Sequence, residues 1–514
     1  MKRLANKLFG KLAIGIVAIC LQFGWLVYLT FSATRANSII NILFEITAVL
    51  LSLNIINKEM RTSFKLSWTF LILFLPIFGI PAYYVFGRSE ITKRTRKKML
   101  KVAEAFGPLR TEDQEVKAEL YACDFYAGKQ SHYITNYAGY PLYREESTEY
   151  YSSGEALFPQ FLEDLKSARH FIFLEYFIIE SGVMFDAVLA VLEQKVKEGV
   201  LVRLIYDDVG CIQTLPPKYY KTLQAKGIQC ACFNPFRPVM SVVMNNRDHR
   251  KIAVVDGQIA YTGGFNLADE YINEKERFGY WKDAGLRVTG PCVWSFTTMF
   301  LEMWTYTTGC AEDYGKYRPL PCDGKEQEGE RERGFIQPYG DSPMDREDTG
   351  ENVYLNLIAH AKTYIYIFTP YLIIGSEMTT ALVNAAKSGI DVRIVVPSIP
   401  DKKLVYLLTR SNYAPLIRGG VRVYEFSPGF IHSKCFVVDD EYAAVGTINL
   451  DYRSLYLHFE CGAFMYRTKA VMQVKQDTLS TFAASREVTL QEAESYHTVV
   501  RLFFGALKLF APLL

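Results

Sequence analysis

Two histidine–lysine pairs stand out in a chain with only seven histidines among its 514 residues. In "HRKIAVVDGQIAYTGGFN" the residues His249, Lys251, Asp256 and Asn266 recur as His432, Lys434, Asp439 and Asn449 of "HSKCFVVDDEYAAVGTIN". In each copy the lysine follows the histidine by two residues, the aspartate by seven and the asparagine by seventeen. Residues i and i+2 of a strand share a face, so each imidazole lies beside its own ammonium. Two imidazoles, two ammoniums and two amides in one site suit cleavage of a phosphodiester through a covalent intermediate. One neutral imidazole attacks phosphorus, and the other, protonated, gives its proton to the leaving alkoxide. Lys251, Lys434, Asn266 and Asn449 would hold the non-bridging oxygens. The scheme requires no metal or other cofactor, and neither a familiar metal motif nor a His/Cys cluster of zinc spacing is present.

One such motif alone reads as readily as an incidental histidine near a sheet edge. Two at identical spacing, each after a matching series of elements, indicate a shared site. His132, His170, His360, His458 and His497 lack this context and are expected to be structural or exposed. Asp256 and Asp439 close buried strands, which suits holding the motif's architecture better than moving protons.

The elements that must position these residues also occur twice. The helix-period stretch "EALFPQFLEDLKSA" leads into "HFIFLEYFII", as "ENVYLNLIAHA" leads into "YIYIFTPYLII". "GVLVRLIYDD" then matches "GIDVRIVVPS", and "GIQCACFNPF" matches "GVRVYEFSPGF". Strands alternating with helices in this order predict parallel pairing and a sheet covered by helices. Each His/Lys strand turns back through a hairpin that ends near its asparagine. The expected organisation is a membrane anchor and basic flank over 1–100, a connector over 101–139, α/β repeats over 140–311 and 334–490, a charged linker over 312–333, and an apolar segment over 491–514.

The anchor is the largest shift in composition. Residues 12–32 carry no charge and reach the ~20 residues that cross a bilayer. A second stretch, 38–56, is apolar apart from Glu45 and some asparagines, and a third, 67–87, is interrupted by Pro76, Gly79 and Pro81. A signal peptide is the competing reading of the first stretch, but its apolar run is long and ends without a small-residue cleavage site. Lysine and arginine gather before residue 12, at Lys58, Arg61 and Lys65, and from Arg88 to Lys101. Such residues favour the cytoplasmic side, which predicts two full spans, a third stretch that is re-entrant or interfacial, and a cytoplasmic catalytic region. The C-terminal "VVRLFFGALKLFAPLL" suits either core packing or a membrane surface.

A net charge of +2 argues against a nucleic-acid binder that relies on a strong basic field. Ten scattered cysteines without CxxC pairs read as buried thiols in a reducing compartment. Retention of both His/Lys/Asn sets argues against a non-enzymatic scaffold.

HxKxxxxD followed by G-[GST]-x-N is the signature of the phospholipase D superfamily, which this chain resembles at both copies, Gly263, Gly264, Gly446 and Thr447 included. Within it, "LPIFGIPAYYVFGR", "GGFNLADEY", "GYWKDAGLRVTGP" and "NLDYRSLYLHFE" are similar to bacterial cardiolipin synthases. The resemblance implies two duplicated α/β sandwich domains forming one active site in a cell-membrane protein. It also implies transfer of a phosphatidyl group between two phosphatidylglycerol molecules through a phosphohistidine, with membrane lipid and no nucleic acid as partner. Water as acceptor would instead make a phospholipase D-type hydrolase. In the family a carboxylate outside each motif orients a histidine, which matches Asp283 and Glu460 here, and precedent gives attack to the first histidine, His249.

Overall fold

Strand Phe171–Tyr176 buries all six of its residues, and so does the corresponding Tyr364–Phe368 with its five. Strands that are apolar on both faces belong at the middle of a covered sheet. In the computed structural model, which describes residues 35–87, 93–235, 246–318 and 334–513, each is an interior strand of its own sheet. In the first sheet Phe171–Tyr176 pairs in parallel with Leu201–Asp207, which pairs in parallel with Gln229–Phe233. On its other side it meets Ile252–Val255 antiparallel, followed by Ile259–Gly263, Gly285–Thr289 and Ser147–Tyr151. The second sheet repeats the arrangement with Asp391–Pro397 and Arg422–Phe426 on one side of Tyr364–Phe368 and Cys435–Val438, Tyr442–Gly446 and Glu460–Tyr466 on the other.

Parallel pairing therefore holds for only three strands of each repeat. The strand after each His/Lys pair is joined to the next by a tight turn, Ile252–Val255 to Ile259–Gly263 and Cys435–Val438 to Tyr442–Gly446, which only antiparallel neighbours can use. Strand Tyr143–Arg144 also pairs with Phe335–Asp341 of the second sheet, although it precedes the first repeat's strands in the chain.

Helices cover both sheets. Gly154–Ser167 starts at Ser153, whose hydroxyl accepts from Ala156 N (3.3 Å), and buries Leu157, Phe161 and Leu165. Helix Val293–Thr308 is buried along most of its length. Beyond it Tyr317 packs edge-on against Phe171 and Phe173, both at 5.1 Å between ring centres. The described cysteines are free thiols, and Cys123 and Cys310 are exposed rather than buried.

Asp256 and Asp439 fix the register of the two central strands. Both have left-handed backbones (φ 52° and 54°), and their carboxylates collect main-chain N–H groups. Asp256 accepts from Arg169, His170 and Phe171 at 2.7–2.8 Å, and Asp439 from Lys362, Thr363 and Tyr364 at 2.6–2.9 Å. Asp439→Ala should lower stability by about 2–3 kcal/mol, because three N–H groups lose a charged acceptor at once. Thermal unfolding should show a drop of several degrees. An unshifted midpoint would contradict this role.

The chain forms two compact units. The smaller holds residues 35–87 and 505–513 of the described chain. It comprises helices Arg35–Ile56, Thr62–Phe74 and Pro76–Ala82 around a core of Ala48, Ile55, Trp68, Leu71, Ile72 and Tyr83. Ser67 Oγ donates to Leu509 O (2.5 Å), and Phe510 meets Phe70 edge-on, so the C-terminus packs within this unit. Stretch 12–32 lies outside the described residues, and 67–87 breaks at Leu75 before Pro76. Among the described residues no helix is long and apolar enough to cross a membrane.

Candidate active site

Pairing between the two repeats assembles the site. Gly429–Ile431 runs parallel to Tyr280–Lys282, and Asp248 bridges Phe459. The N–H of His432 donates to Lys282 O (2.7 Å), and that of His249 donates to Phe459 O (2.9 Å). Each histidine is thus moored beside the residue that precedes the other repeat's acid. Asp283 Oδ2 lies 2.6 Å from His432 Nδ1, and the Glu460 oxygens lie 2.9 and 3.0 Å from His249 Nδ1. With Nδ1 engaged, Nε2 is the nitrogen left for chemistry on each ring.

Backbone geometry makes room for these contacts. A Cβ on Gly264 would lie 2.0 Å from Asp283 Oδ1, so only glycine lets that carboxylate reach His432. At the matching position Thr447 donates its hydroxyl to Glu460 Oε2 instead. The two acids are therefore held differently, one by the absence of a side chain and one by a hydroxyl.

Lys251 Nζ donates to His249 O (2.6 Å), and Lys434 Nζ donates to His432 O. Both lysines are 1% exposed and both histidines 7%. Burial pushes Lys251 down to about 8 and Lys434 down to about 7. Burial, with Lys434 adding to it, lowers His432 to about 4 against the pull of Asp283. It drives His249 well below its ordinary value, helped by Lys251. Burial raises Glu460 to about 8. It also acts to raise Asp283, but His432 and Lys434 outweigh it, and Asp283 ends below the usual carboxylate value. Burial thus favours a proton on the Glu460–His249 pair more than on the Asp283–His432 pair.

The asparagines differ as well. Asn266 Oδ1 accepts from Ile178 N (2.9 Å), and its Nδ2 donates to Tyr271 OH (2.7 Å). Asn449 Oδ1 is buried with no hydrogen-bond partner. Asp256 and Asp439, expected with the histidines and lysines, do not join them. They stand seven residues away, roughly 20 Å along extended chain, at the opposite end of the strand. Glu175 is buried against Arg250 (2.7 Å), and the Tyr371 hydroxyl donates to Asp401 (2.6 Å).

Several site neighbours lie outside the motifs, among them Phe177, 5.0 Å from the His249 ring. Tyr271 and Trp281 stand 5.6 and 5.4 Å from the His432 ring, and His458 stands 5.6 Å from that of His249. His458, expected to be structural or exposed, has a side chain only 10% exposed, with a nitrogen 3.8 Å from Glu460. The one sequence signal for Trp281 and His458 is shared: each stands two residues before its repeat's acid.

Among the described residues, His249, His458 and Glu460 form one group of possible metal ligands, with ligand atoms within 4.8 Å of one another. His249 Nδ1 and Glu460 are already bound to each other, and Arg453, Lys251 and Arg247 act on His458. That field favours an anion over a cation.

A family model described as "Cardiolipin synthase, PLD-like domain" matches residues 161–281 and 354–480, and a "Phospholipase_D-nuclease N-terminal" model matches 46–88. The cardiolipin synthase of Halalkalibacterium halodurans is 32% identical over 92% of this chain and 93% of its own length. Cardiolipin synthase 2 of Bacillus cereus is 34% identical over 92% of this chain and 91% of its own. Among solved structures, the phosphatidylserine synthase of Haemophilus influenzae superposes with a TM-score of 0.58 at 16% identity, over 75% of this chain and 99% of that one, a likeness of fold. With two histidine–carboxylate pairs exchanged between duplicated repeats, and with these relatives along nearly its whole length, the chain belongs to the cardiolipin synthase family of phospholipase D-like proteins.

Proposed function

We propose that the protein is a cardiolipin synthase, a phosphatidyltransferase that converts two phosphatidylglycerol molecules into cardiolipin and glycerol. The crosswise histidine–carboxylate pairs flanked by two buried lysines carry this reading. Nε2 of one histidine attacks the donor's phosphorus, the bond from phosphorus to the glycerol oxygen breaks, and the other histidine protonates that oxygen. The free hydroxyl of a second phosphatidylglycerol then attacks the phosphohistidine. Its proton passes to the second histidine, the P–N bond breaks and the first imidazole is regenerated. Lys251, Lys434 and the Asn449 amide hold the non-bridging oxygens, where charge develops. Asp283 and Glu460 orient the imidazoles and stabilise them when charged.

Membrane seating fits the same reading. Helix Arg35–Ile56 exposes Ile39, Ile42, Leu43, Ile46, Leu50 and Leu53, an apolar surface suited to acyl chains. The catalytic repeats belong on the cytoplasmic side, where the basic run from Arg88 to Lys101 favours placement.

Purified full-length protein in detergent, given phosphatidylglycerol alone, should yield cardiolipin and glycerol in equal amounts. Phosphatidic acid with glycerol and no cardiolipin would transfer the acceptor role to water and make the protein a hydrolase.

A further inference from the structure

The reaction brings two phosphodiesters together, because the acceptor phosphatidylglycerol carries its own anionic phosphate one glycerol away from the hydroxyl that attacks. Lys251 and Lys434 serve the donor's phosphate. The acceptor's phosphate calls for a second anion site close by, and the two halves of the active site offer different surroundings for it.

Around His432 the neighbours are aromatic, Tyr271, Trp281 and Phe430, the last at 6.0 Å, whereas His249 has one such ring, Phe177 at 5.0 Å. At the position that matches Trp281, the His249 side has His458. Both nitrogens of the His458 ring are buried without a hydrogen-bond partner. Leaving such atoms unsatisfied is costly, so a bound group is expected to meet them. Backbone pairing ties this segment to two arginines, of which Arg247 directs its guanidinium to Asp207 (3.4 Å) and Asn234 O (3.0 Å). His458 N donates to Arg453 O (2.9 Å), and Phe459 N donates to Arg247 O (2.8 Å). Arg453, Lys251, Arg247 and Lys402 all act on the ring in the same direction, Lys402 from an exposed position over the Tyr371 ring (5.4 Å) and 3.9 Å from Asp401. A neutral imidazole with an N–H to give, with more cations than acids around it and the Glu460 carboxyl 3.8 Å from Nδ1, is a site for an anion.

We propose that His458, with Arg453 and Lys402, binds the phosphodiester of the acceptor lipid and so favours phosphatidylglycerol over small neutral acceptors. This rests on the transphosphatidylation reading above. In the step concerned, the acceptor hydroxyl forms the new P–O bond, the P–N bond to the phosphohistidine breaks, and the hydroxyl proton passes to the other histidine. His458 takes no part in bond making.

The test is acceptor partitioning. Full-length enzyme receives phosphatidylglycerol in the presence of ethanol, and cardiolipin and phosphatidylethanol are measured together. In His458→Ala the ratio of cardiolipin to phosphatidylethanol should fall about tenfold, as expected for loss of one hydrogen bond to a charged group. Lys402→Gln, at an exposed position, should shift the ratio the same way by about two- to threefold and guards against misfolding of the first variant. Parallel loss of both products, or an unchanged ratio in both variants, would overturn the subsite. Wild-type enzyme that makes phosphatidylethanol but no cardiolipin would instead overturn the synthase reading, and the subsite with it.

Discussion

His249→Ala and His432→Ala each reduce cardiolipin formation by roughly four orders of magnitude or more, because residues that act as one catalytic unit are lost together. Each imidazole has the same equipment: Nδ1 on the opposite repeat's acid and a backbone N–H anchored across the repeat boundary. Neither can replace the other, since one must be a neutral nucleophile while its partner holds a proton. The anchoring bonds use main-chain atoms, so both variants should keep the wild-type unfolding midpoint within a few degrees. Substantial turnover in either variant would end the two-histidine mechanism. Peptide mapping of the phosphorylated histidine, trapped by rapid denaturation and kept at alkaline pH where the P–N bond survives, then identifies the nucleophile. The family resemblance assigns attack to His249. The opposite assignment, attack by His432, follows from the acids: burial raises Glu460 while Asp283 is lowered, which favours a proton on the His249 side, where a general acid needs one. The modified peptide decides between them.

The paired motifs were legible in the sequence because their spacing is local. Histidine and lysine of each copy stand two residues apart just ahead of a strand, and a hairpin separates them from the asparagine. Asp256 and Asp439 share that spacing, but the extended chain carries them to the far end of the strand, where the left-handed turn makes them acceptors for three N–H groups. The crosswise exchange was not legible. It depends on two short pairings between repeats, Asp248 with Phe459 and Tyr280–Lys282 with Gly429–Ile431, and no periodicity within one repeat encodes them. His458 escaped for the same reason, since its place beside His249 is set by the bridge at the next residue. Parallel pairing was over-extended: alternating strands and helices describe the first half of each repeat, while the hairpins of the second half impose antiparallel order.

Lys251→Ala and Lys434→Ala should each lower kcat/KM by two to three orders of magnitude, about 3–4 kcal/mol for one preorganised charge at the transferring phosphoryl group. Arginine should not restore activity. Each ammonium fits a space that leaves it 1% exposed while it donates to the adjacent histidine carbonyl, and a planar guanidinium cannot keep that bond in the same volume. The lysines also set a pH limit. A lysine is charged below its pKa, and burial brings Lys434 to about 7 and Lys251 to about 8, so the free site loses positive charge as pH rises through this window. Since kcat/KM reports the free enzyme, it should fall from about pH 7 upward. A bound phosphodiester raises both lysine pKa values, so kcat should hold to higher pH. Glu460 ionises in the same window, at about 8, and the variants separate the two effects. Lys434→Ala should lose the limb near 7 and keep the one near 8, whereas a limb arising from Glu460 alone would leave the profile of Lys434→Ala unchanged in shape. A flat wild-type kcat/KM between about pH 6 and 9 would show that the two ammoniums keep their charge despite burial, and that the proton-dependent step lies elsewhere.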